Sequence, residues 1–322
     1  MSSLDEVPCR ATRENLEVSS LLYLDTVQGI PFYLTSDLHL DPNQKNIVSI
    51  ATQYFADEID RSKARILFLL GDLFDSRNGQ DTSRLINQLI QNLSGLIDNI
   101  IFVPGNNDLR GRPNPFQSFN FSKDRVLSPV GAHPIVATIE GLRILAGNIF
   151  ADFERFIPYL PFCTRDSLLA FYASKLDGKS LFDGNMGSFP AMTDALAQKL
   201  DPRIDVLATH YLSHPSSEKL RCHTLPPARR RVVARLAIST EWNPDADLER
   251  YKWFSRDLEK IRIWLNSNTF LLGANVLQHP RADPGHGLTC LHGHNHHGQR
   301  IQLEIGDRSF EILSHQPFRF GK

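Results

Sequence analysis

The chain has little of several features that would mark a specialised class of protein. It carries no excess of charge of one sign, because 35 Lys and Arg residues face 36 Asp and Glu residues, for a formal net charge of -1. This balance excludes a histone-like binder of polyanions, although it leaves room for a local phosphate site. Hydrophobic residues make up 41% of the chain and charged residues 22%, which is typical of a globular protein with a sizeable core.

Cysteines and long apolar runs are also scarce. The four cysteines, Cys9, Cys163, Cys222 and Cys290, form no C-x-x-C pair and no spacing typical of a secreted disulfide framework. No run approaches the ~18 apolar residues of a membrane span. The first residues mix acidic and basic side chains where a signal peptide would need an apolar stretch. We therefore expect a cytoplasmic protein without a transmembrane segment.

Five short apolar runs share one property, which is that a cluster containing Asp, Asn or His follows each of them. These runs are residues 30–36, 64–70, 100–103, 204–208 and 288–291. Helical patterns of apolar residues fill 47–59 and 85–97, so strands and helices alternate over the first hundred residues. Such alternation predicts βαβ units and a largely parallel sheet, with ligand sites beyond the carboxyl ends of the strands.

The alternation weakens further along the chain. Residues 135–139 and 142–146 predict a hairpin, and 300–315 predict two strands around a Gly-Asp turn. We predict an N-terminal extension at 1–29 and one domain at 30–322. Insertions at about 150–200, rich in aromatic residues, and at about 213–280 interrupt that domain.

The polar clusters at the strand ends form an ordered set of motifs. They are D-x-H (37–39), G-D-x-x-D (71–75), G-N-x-D (105–108), T-H (209–210) and G-H-x-H (293–296). Carboxylate and amide oxygens with imidazoles, and no thiolates, suit a hard-to-borderline divalent cation. Each motif alone is weak evidence, and the order of all five directly after predicted strands is the context that supports a metal site.

This order of motifs resembles that of the calcineurin-like metallophosphoesterase superfamily, from residue 30 to about 315. The resemblance implies an α/β (α+β) fold, a two-layer β-sandwich flanked by helices and carrying helical insertions. It also implies a dinuclear metal site at the strand ends. Carried over by position, the ligands are Asp37, His39 and His296 for one metal, Asn106, His210 and His294 for the other, and Asp72 as the bridge.

The resemblance further implies the chemistry of the site. It predicts hydrolysis of phosphodiester or pyrophosphate bonds by in-line attack of a metal-bridging hydroxide. Mn²⁺ is the expected metal, with Fe, Zn, Ni and Mg as alternatives.

One position departs from the usual G-N-H-[DE] pattern, since Asn107 stands where the family has His. Asn can donate a hydrogen bond but cannot give up a proton. A phosphate leaving group is stable as an anion, whereas an alkoxide needs protonation, so Asn107 favours pyrophosphate or activated diester substrates over phosphomonoesters. Asn107, Asp108 and His214 are the catalytic candidates. In the family pattern Asp108 supports the residue before it, and His214 is close enough along the chain to His210 to replace the missing acid.

The sequence is compatible with three hypotheses for the function. A small phosphorylated substrate fits the balanced charge. The motifs D-L-H-L (37–40) and G-D-L-F (71–74) are similar to those of the UDP-2,3-diacylglucosamine pyrophosphatases. A DNA nuclease of the SbcD type, working with a partner ATPase, shares G-D-L-F-D but normally keeps the His. A non-catalytic scaffold would not need the full ligand set. Four arginines of one basic stretch, Arg221, Arg229, Arg230 and Arg231, either grip substrate phosphates or face solvent.

Overall fold

The computed structural model describes most of the predicted strands and the first two predicted helices. The described residues are 9–16, 20–75, 80–109, 119, 121, 125–129, 133–148, 188–211, 213, 276–277, 279, 281–294 and 298–315. Within these residues, no helix has the length and apolar character needed to cross a membrane.

A five-stranded mixed sheet forms the first layer. In sheet order its strands are β2 (Tyr23–Val27), β3 (Ile30–Thr35), β4 (Ile66–Leu69), β5 (Asn99–Phe102) and β6 (Val126–Leu127). β3 to β6 pair in parallel, and β2 runs antiparallel to β3 at the edge. Every residue of β4 is buried, as expected for a strand covered on both faces.

A seven-stranded mixed sheet forms the second layer. In sheet order its strands are β1 (Cys9–Asn15), β11 (Gln299–Ile305), β12 (Arg308–Ser314), β10 (Leu288–His292), β9 (Val206–Ala208), β8 (Leu142–Ala146) and β7 (Ile135–Ile139). β8, β9, β10 and β12 pair in parallel, while the two predicted hairpins, β7–β8 and β11–β12, are antiparallel. Both hairpin predictions are confirmed.

The two sheets pack face to face. Their inward side chains form one apolar cluster, to which the first sheet contributes Phe32, Leu34, Ile66 and Phe68 and the second contributes Ile144, Val206, Leu291 and Leu313, among others. Fully burying such side chains stabilises the fold by about 1.5 to 3 kcal/mol each. The predicted two-layer sandwich is confirmed.

Helices cover the outer faces of the sandwich. In the described part of the chain they are α1 (Ile47–Glu58), α2 (Ser83–Leu93), the short α3 (Asn106–Leu109) and α4 (Ser188–Lys199). The periodicity at 47–59 and 85–97 corresponds to α1 and α2. Both helices bury their apolar side chains in a second apolar cluster, which they form with the sheets. Of the insertions predicted at about 150–200 and 213–280, residues 150–187 and 214–275 lie outside the described residues, and α4 falls within the first.

Residues ahead of Ile30 contribute a strand to each sheet, which the sequence does not predict. β1 pairs with β11 over its whole length, and β2 pairs with β3. The β1 segment, CRATREN, carries three charged side chains in seven residues. It therefore lacks the apolar run by which the inner strands are recognised.

Candidate metal centre

The carboxyl ends of strands from both sheets meet at one place in the sandwich. β3, β4 and β5 are parallel neighbours in one sheet, and β9 and β10 are parallel neighbours in the other. The loops that follow them supply Asp37, His39, Asp72, His210 and His294. These side chains form two groups that share Asp72, and in each group the candidate ligand atoms all lie within 4.8 Å of one another.

The first group consists of Asp37, His39 and Asp72. His39 Nε2 lies 3.9 Å from Asp37 Oδ1 and 3.9 Å from Asp72 Oδ2. Both carboxylates are almost fully buried, and the His39 side chain is 16% exposed. One imidazole nitrogen thus faces two carboxylate oxygens, a donor set suited to a divalent cation.

The second group consists of Asp72, His210 and His294. His210 Nε2 lies 3.7 Å from the other Asp72 oxygen, Oδ1, and 3.2 Å from His294 Nδ1. His210 Nδ1 lies 2.6 Å from the carbonyl oxygen of Leu70. Because a carbonyl only accepts, Nδ1 carries the hydrogen, and the lone pair of Nε2 is directed into the group.

Four of these five candidate ligands have an unusual backbone conformation. Their φ angles are positive, at 53° for Asp37, 46° for His39, 54° for Asp72 and 64° for His294. The left-handed region costs a non-glycine residue on the order of 1 kcal/mol, and it clusters at functional sites. The loops are held there by main-chain bonds from Asp37 N to Gly71 O (2.9 Å) and from His39 N to Asp72 O (3.0 Å).

Asp108 ties the loops after β4 and β5 together. Its carboxylate accepts backbone N–H bonds from Asp72 (2.7 Å), Leu73 (2.9 Å) and Gly105 (2.9 Å), and the residue is fully buried. Burial and the neighbouring Asp72 carboxylate raise the pKa of Asp108 to about 7, against the opposing effect of the Gly105 and Leu73 N–H donors. Asp108 therefore acts on the backbone that presents Asp72.

Asn107 holds the Asp72 carboxylate itself. Its backbone N–H donates to Asp72 Oδ1 (2.8 Å), and its side-chain amide donates to Asp72 Oδ2 (2.6 Å).

His292, the last residue of β10, is also buried. Burial lowers its pKa to about 4, so this imidazole is neutral near pH 7.

The charge and the shape of the site both fit cations. Asp37, Asp72 and Asp108 are at most 2% exposed, and buried carboxylates need compensating positive charge. Two glycines make room for the cluster. A Cβ on Gly293 would lie 2.8 Å from Asp37 Oδ2, and one on Gly105 would lie 2.7 Å from His210 Cε1.

Replacing Gly105 by Ala is therefore expected to disturb the site. Its Cβ would also meet the Asp72 nitrogen at 2.6 Å, so backbone must shift, at a cost of about 1 to 3 kcal/mol of unfolding free energy. We expect Mn²⁺ affinity to fall by at least about 10-fold, measured by calorimetric titration beside denaturant unfolding. Gly95→Ala, whose Cβ meets the Asn92 carbonyl oxygen at 3.1 Å, is the control. Equal Mn²⁺ affinity in the Gly105 and Gly95 variants would contradict the close packing of Gly105 against Asp72 and His210.

Not every candidate site residue belongs to the described part of the chain. His214, His296, Arg221, Arg229, Arg230 and Arg231 lie outside the described residues, as does the side chain of Asn106, whose backbone begins α3. Their roles stay predictions.

Tyr211 is a site residue to which the sequence analysis assigned no role. Its ring centroid lies 4.3 Å from that of His294 and 5.2 Å from that of His210, and the residue is 2% exposed. The only sequence signal was its position next to His210 in the T-H motif. Packed against both imidazoles, this ring restricts their orientation.

Comparisons with known proteins relate this arrangement to a family. The model of the family described as calcineurin-like phosphoesterase matches residues 30–221, more than half of the chain. No curated protein matches. Among solved structures, a phosphopantetheinyl hydrolase from Mycobacterium tuberculosis is similar over 89% of both chains, with 16% identity and a TM-score of 0.43. A dimetal phosphatase from Danio rerio is similar over 89% of this chain and 87% of its own, with 13% identity and a TM-score of 0.39.

The family match and the site geometry agree on the class of protein. The match covers the loops that supply Asp37, His39, Asp72 and His210, and it ends before the strand that supplies His294. The structure brings His294 into the same cluster. The chain belongs to the calcineurin-like phosphoesterase family, and it is a metallophosphoesterase.

Proposed function

We propose that the chain hydrolyses a phosphodiester or pyrophosphate bond in a small phosphorylated substrate, using two divalent ions of which Mn²⁺ is the expected species. The proposal rests on one observation. The two oxygens of the Asp72 carboxylate face different groups of candidate ligands. Oδ2 faces His39 and Oδ1 faces His210, as a bridging ligand requires.

The ligand assignment follows from the two groups. We assign Asp37 and His39, with His296, to one ion, and His210 and His294, with Asn106, to the other, Asp72 being shared. Bound there, the two ions would supply a water of lowered pKa and positive charge for the phosphoryl oxygens.

The protein's own groups orient this site. The Leu70 carbonyl holds His210 in the tautomer that offers Nε2, and the backbone N–H of His294 donates to Asp37 Oδ2 (2.8 Å), which links the two groups. A fixed donor set needs little reorganisation when charge develops in the transition state.

The leaving-group preference rests on Asn107. Its amide cannot release a proton, so the site is better suited to a phosphate leaving group, which is stable as an anion. Under the proposal, His214 is the candidate proton donor for other substrates, and Arg221, Arg229, Arg230 and Arg231 are candidates to bind substrate phosphates.

The direct test is turnover on a substrate panel with and without metal. The panel contains bis-p-nitrophenyl phosphate, UDP-sugars, dinucleotides, cyclic nucleotides and DNA. We expect Mn²⁺-dependent hydrolysis of a pyrophosphate-containing member, and removal of metal with EDTA should lower the rate by at least about 10³-fold, equivalent to about 4 kcal/mol. Readdition of Mn²⁺ should restore the rate.

Other outcomes of this panel distinguish the alternatives. Hydrolysis of DNA alone would replace the proposal by the nuclease hypothesis. A protein that binds no metal and turns over no member of the panel would instead be a scaffold. The cytoplasmic location and the single domain at 30–322 stay predictions made from the sequence.

A further inference from the structure

The two hydrogen bonds from Asn107 reach different oxygens of one carboxylate. The backbone N–H is bonded to Asp72 Oδ1 and the side-chain amide to Asp72 Oδ2. Both residues are buried, Asn107 at 8% exposure and Asp72 at 1%. A carboxylate held at both oxygens cannot rotate about its Cβ–Cγ bond without losing a buried hydrogen bond.

Each of these oxygens belongs to a different ligand group. Oδ1 is the atom that faces His210 Nε2 at 3.7 Å, and Oδ2 is the atom that faces His39 Nε2 at 3.9 Å. The main chain of Asn107 thus fixes the oxygen of one group, and its side chain fixes the oxygen of the other. Any residue except proline at position 107 keeps the first bond, whereas only a side-chain donor keeps the second.

The chemistry of asparagine suits this position. Its amide is a neutral donor at every pH, and a carboxylate oxygen that accepts one hydrogen bond still has a lone pair for a cation. The next residue, Asp108, accepts the backbone N–H of Asp72 at 2.7 Å. Two consecutive residues at the start of α3 therefore hold both the main chain and the side chain of residue 72.

We propose that Asn107 is a positioning residue whose side-chain amide sets Asp72 Oδ2 for the Asp37–His39 group and not for the His210–His294 group. This inference rests on the proposed function, because it requires two bound ions. Loss of the amide should weaken one ion selectively, while the backbone N–H of residue 107 preserves the other.

The test is Mn²⁺ binding to the metal-free full chain, measured by calorimetric titration together with electron paramagnetic resonance. In Asn107→Ala we expect one ion to bind about 10- to 100-fold more weakly and the other to change by less than about 3-fold. The spectrum should accordingly change from coupled dinuclear Mn²⁺ to mononuclear Mn²⁺ at intermediate metal concentration. Asn99→Ala is the matched control, since the Asn99 amide donates to the Arg65 carbonyl at the opposite end of β5.

Double variants identify the group that is weakened. When His210→Ala has disabled the second group, adding Asn107→Ala should still weaken the remaining ion by about 10-fold or more. When His39→Ala has disabled the first group, adding Asn107→Ala should have little further effect. If Asn107→Ala does not fold, Asn107→Leu replaces it in the same measurements. The Leu side chain is similar to Asn in volume and has no hydrogen-bond donor.

The possible results separate this inference from the proposed function. Wild-type protein that binds no Mn²⁺ would overturn both. Two ions in the wild type with equal weakening of both in Asn107→Ala, or with no weakening, would overturn the positioning role alone.

Discussion

Replacing Asp72 by Ala is expected to abolish metal-dependent hydrolysis and to remove both ions. Among the described residues, the Asp72 carboxylate is the only candidate ligand that the two groups share, so each group loses an oxygen. The left-handed backbone at residue 72, with φ of 54°, also disfavours Ala more than Asp or Asn. We expect the rate to fall by at least about 10³-fold, consistent with several kcal/mol of lost charge stabilisation.

A second substitution separates the two effects of this change. Asp72→Asn keeps the shape and the tolerance of a positive φ, and it replaces the charge and one acceptor oxygen by an amide NH2 group. If the bridge is what matters, Asp72→Asn should lose both ions. Its unfolding free energy should fall by about 1 to 3 kcal/mol, because one of the two buried N–H donors of Asn107 then meets a donor instead of an oxygen. Metal content by mass spectrometry and denaturant unfolding give the two readouts.

A carboxylate outside the site provides the control for Asp72. Asp98 precedes β5 and pairs with Arg65 (3.7 Å) and Arg125 (3.6 Å) near the surface. Asp98→Ala should keep both ions and full activity. Two ions at full occupancy in either Asp72 variant would refute the bridging assignment.

Replacing Asp108 by Ala is expected to destabilise the metal-free protein strongly. Three buried backbone N–H groups, those of Asp72, Leu73 and Gly105, would lose their acceptor. An unsatisfied buried donor costs about 1 to 3 kcal/mol, so we expect the free energy of unfolding to fall by several kcal/mol. Urea unfolding of metal-free protein measures this loss.

Two further variants test the cause of that loss. Asp108→Asn keeps one acceptor oxygen and the side-chain shape, so its stability should lie between those of wild type and Asp108→Ala. Asp60→Ala removes a carboxylate that accepts from Ser62 N (2.9 Å) and Ser62 Oγ (2.7 Å) at the surface, where water can replace it. This control should cost no more than about 1 kcal/mol. An Asp108→Ala protein as stable as the Asp60→Ala protein would show that Asp108 does not tie the loops.

The inner strands could be predicted because their sequences have one physical explanation. The run ending at Leu70 is apolar apart from Arg65, and burial on both sides of a sheet is the simplest account of such a run. β1 and β2 could not be predicted in the same way, because both are edge strands whose sequences mix polar and apolar residues. β1 is a strand because it pairs with β11, almost 300 residues further along the chain, and β2 because it pairs with the apolar strand β3 that follows it.

The candidate site likewise has one part that the sequence predicts and one part that it does not. The sequence by itself determined which residue types follow which strands. Because parallel strands bring their carboxyl ends to one edge of a sheet, these residues were expected to lie close together. Together with the family resemblance, these positions indicated the candidate ligands, which are Asp37, His39, Asp72, Asn106, His210, His294 and His296. The apolar patterns and the order of the motifs along the chain, which support this prediction, can be read directly from the sequence.

Only the tertiary structure decided how those residues face one another. It divided the two oxygens of Asp72 between the groups, directed the Asn107 amide to Oδ2, and placed the Asp108 carboxylate against three backbone N–H groups. Except for the bond from Gly105 to Asp108, these contacts join residues that are distant in the sequence, such as Asp72 with Asn107 and Asp72 with His210. Their geometry depends on side-chain rotation and on loop conformations that the packing of two sheets selects, and no local pattern in the sequence specifies either.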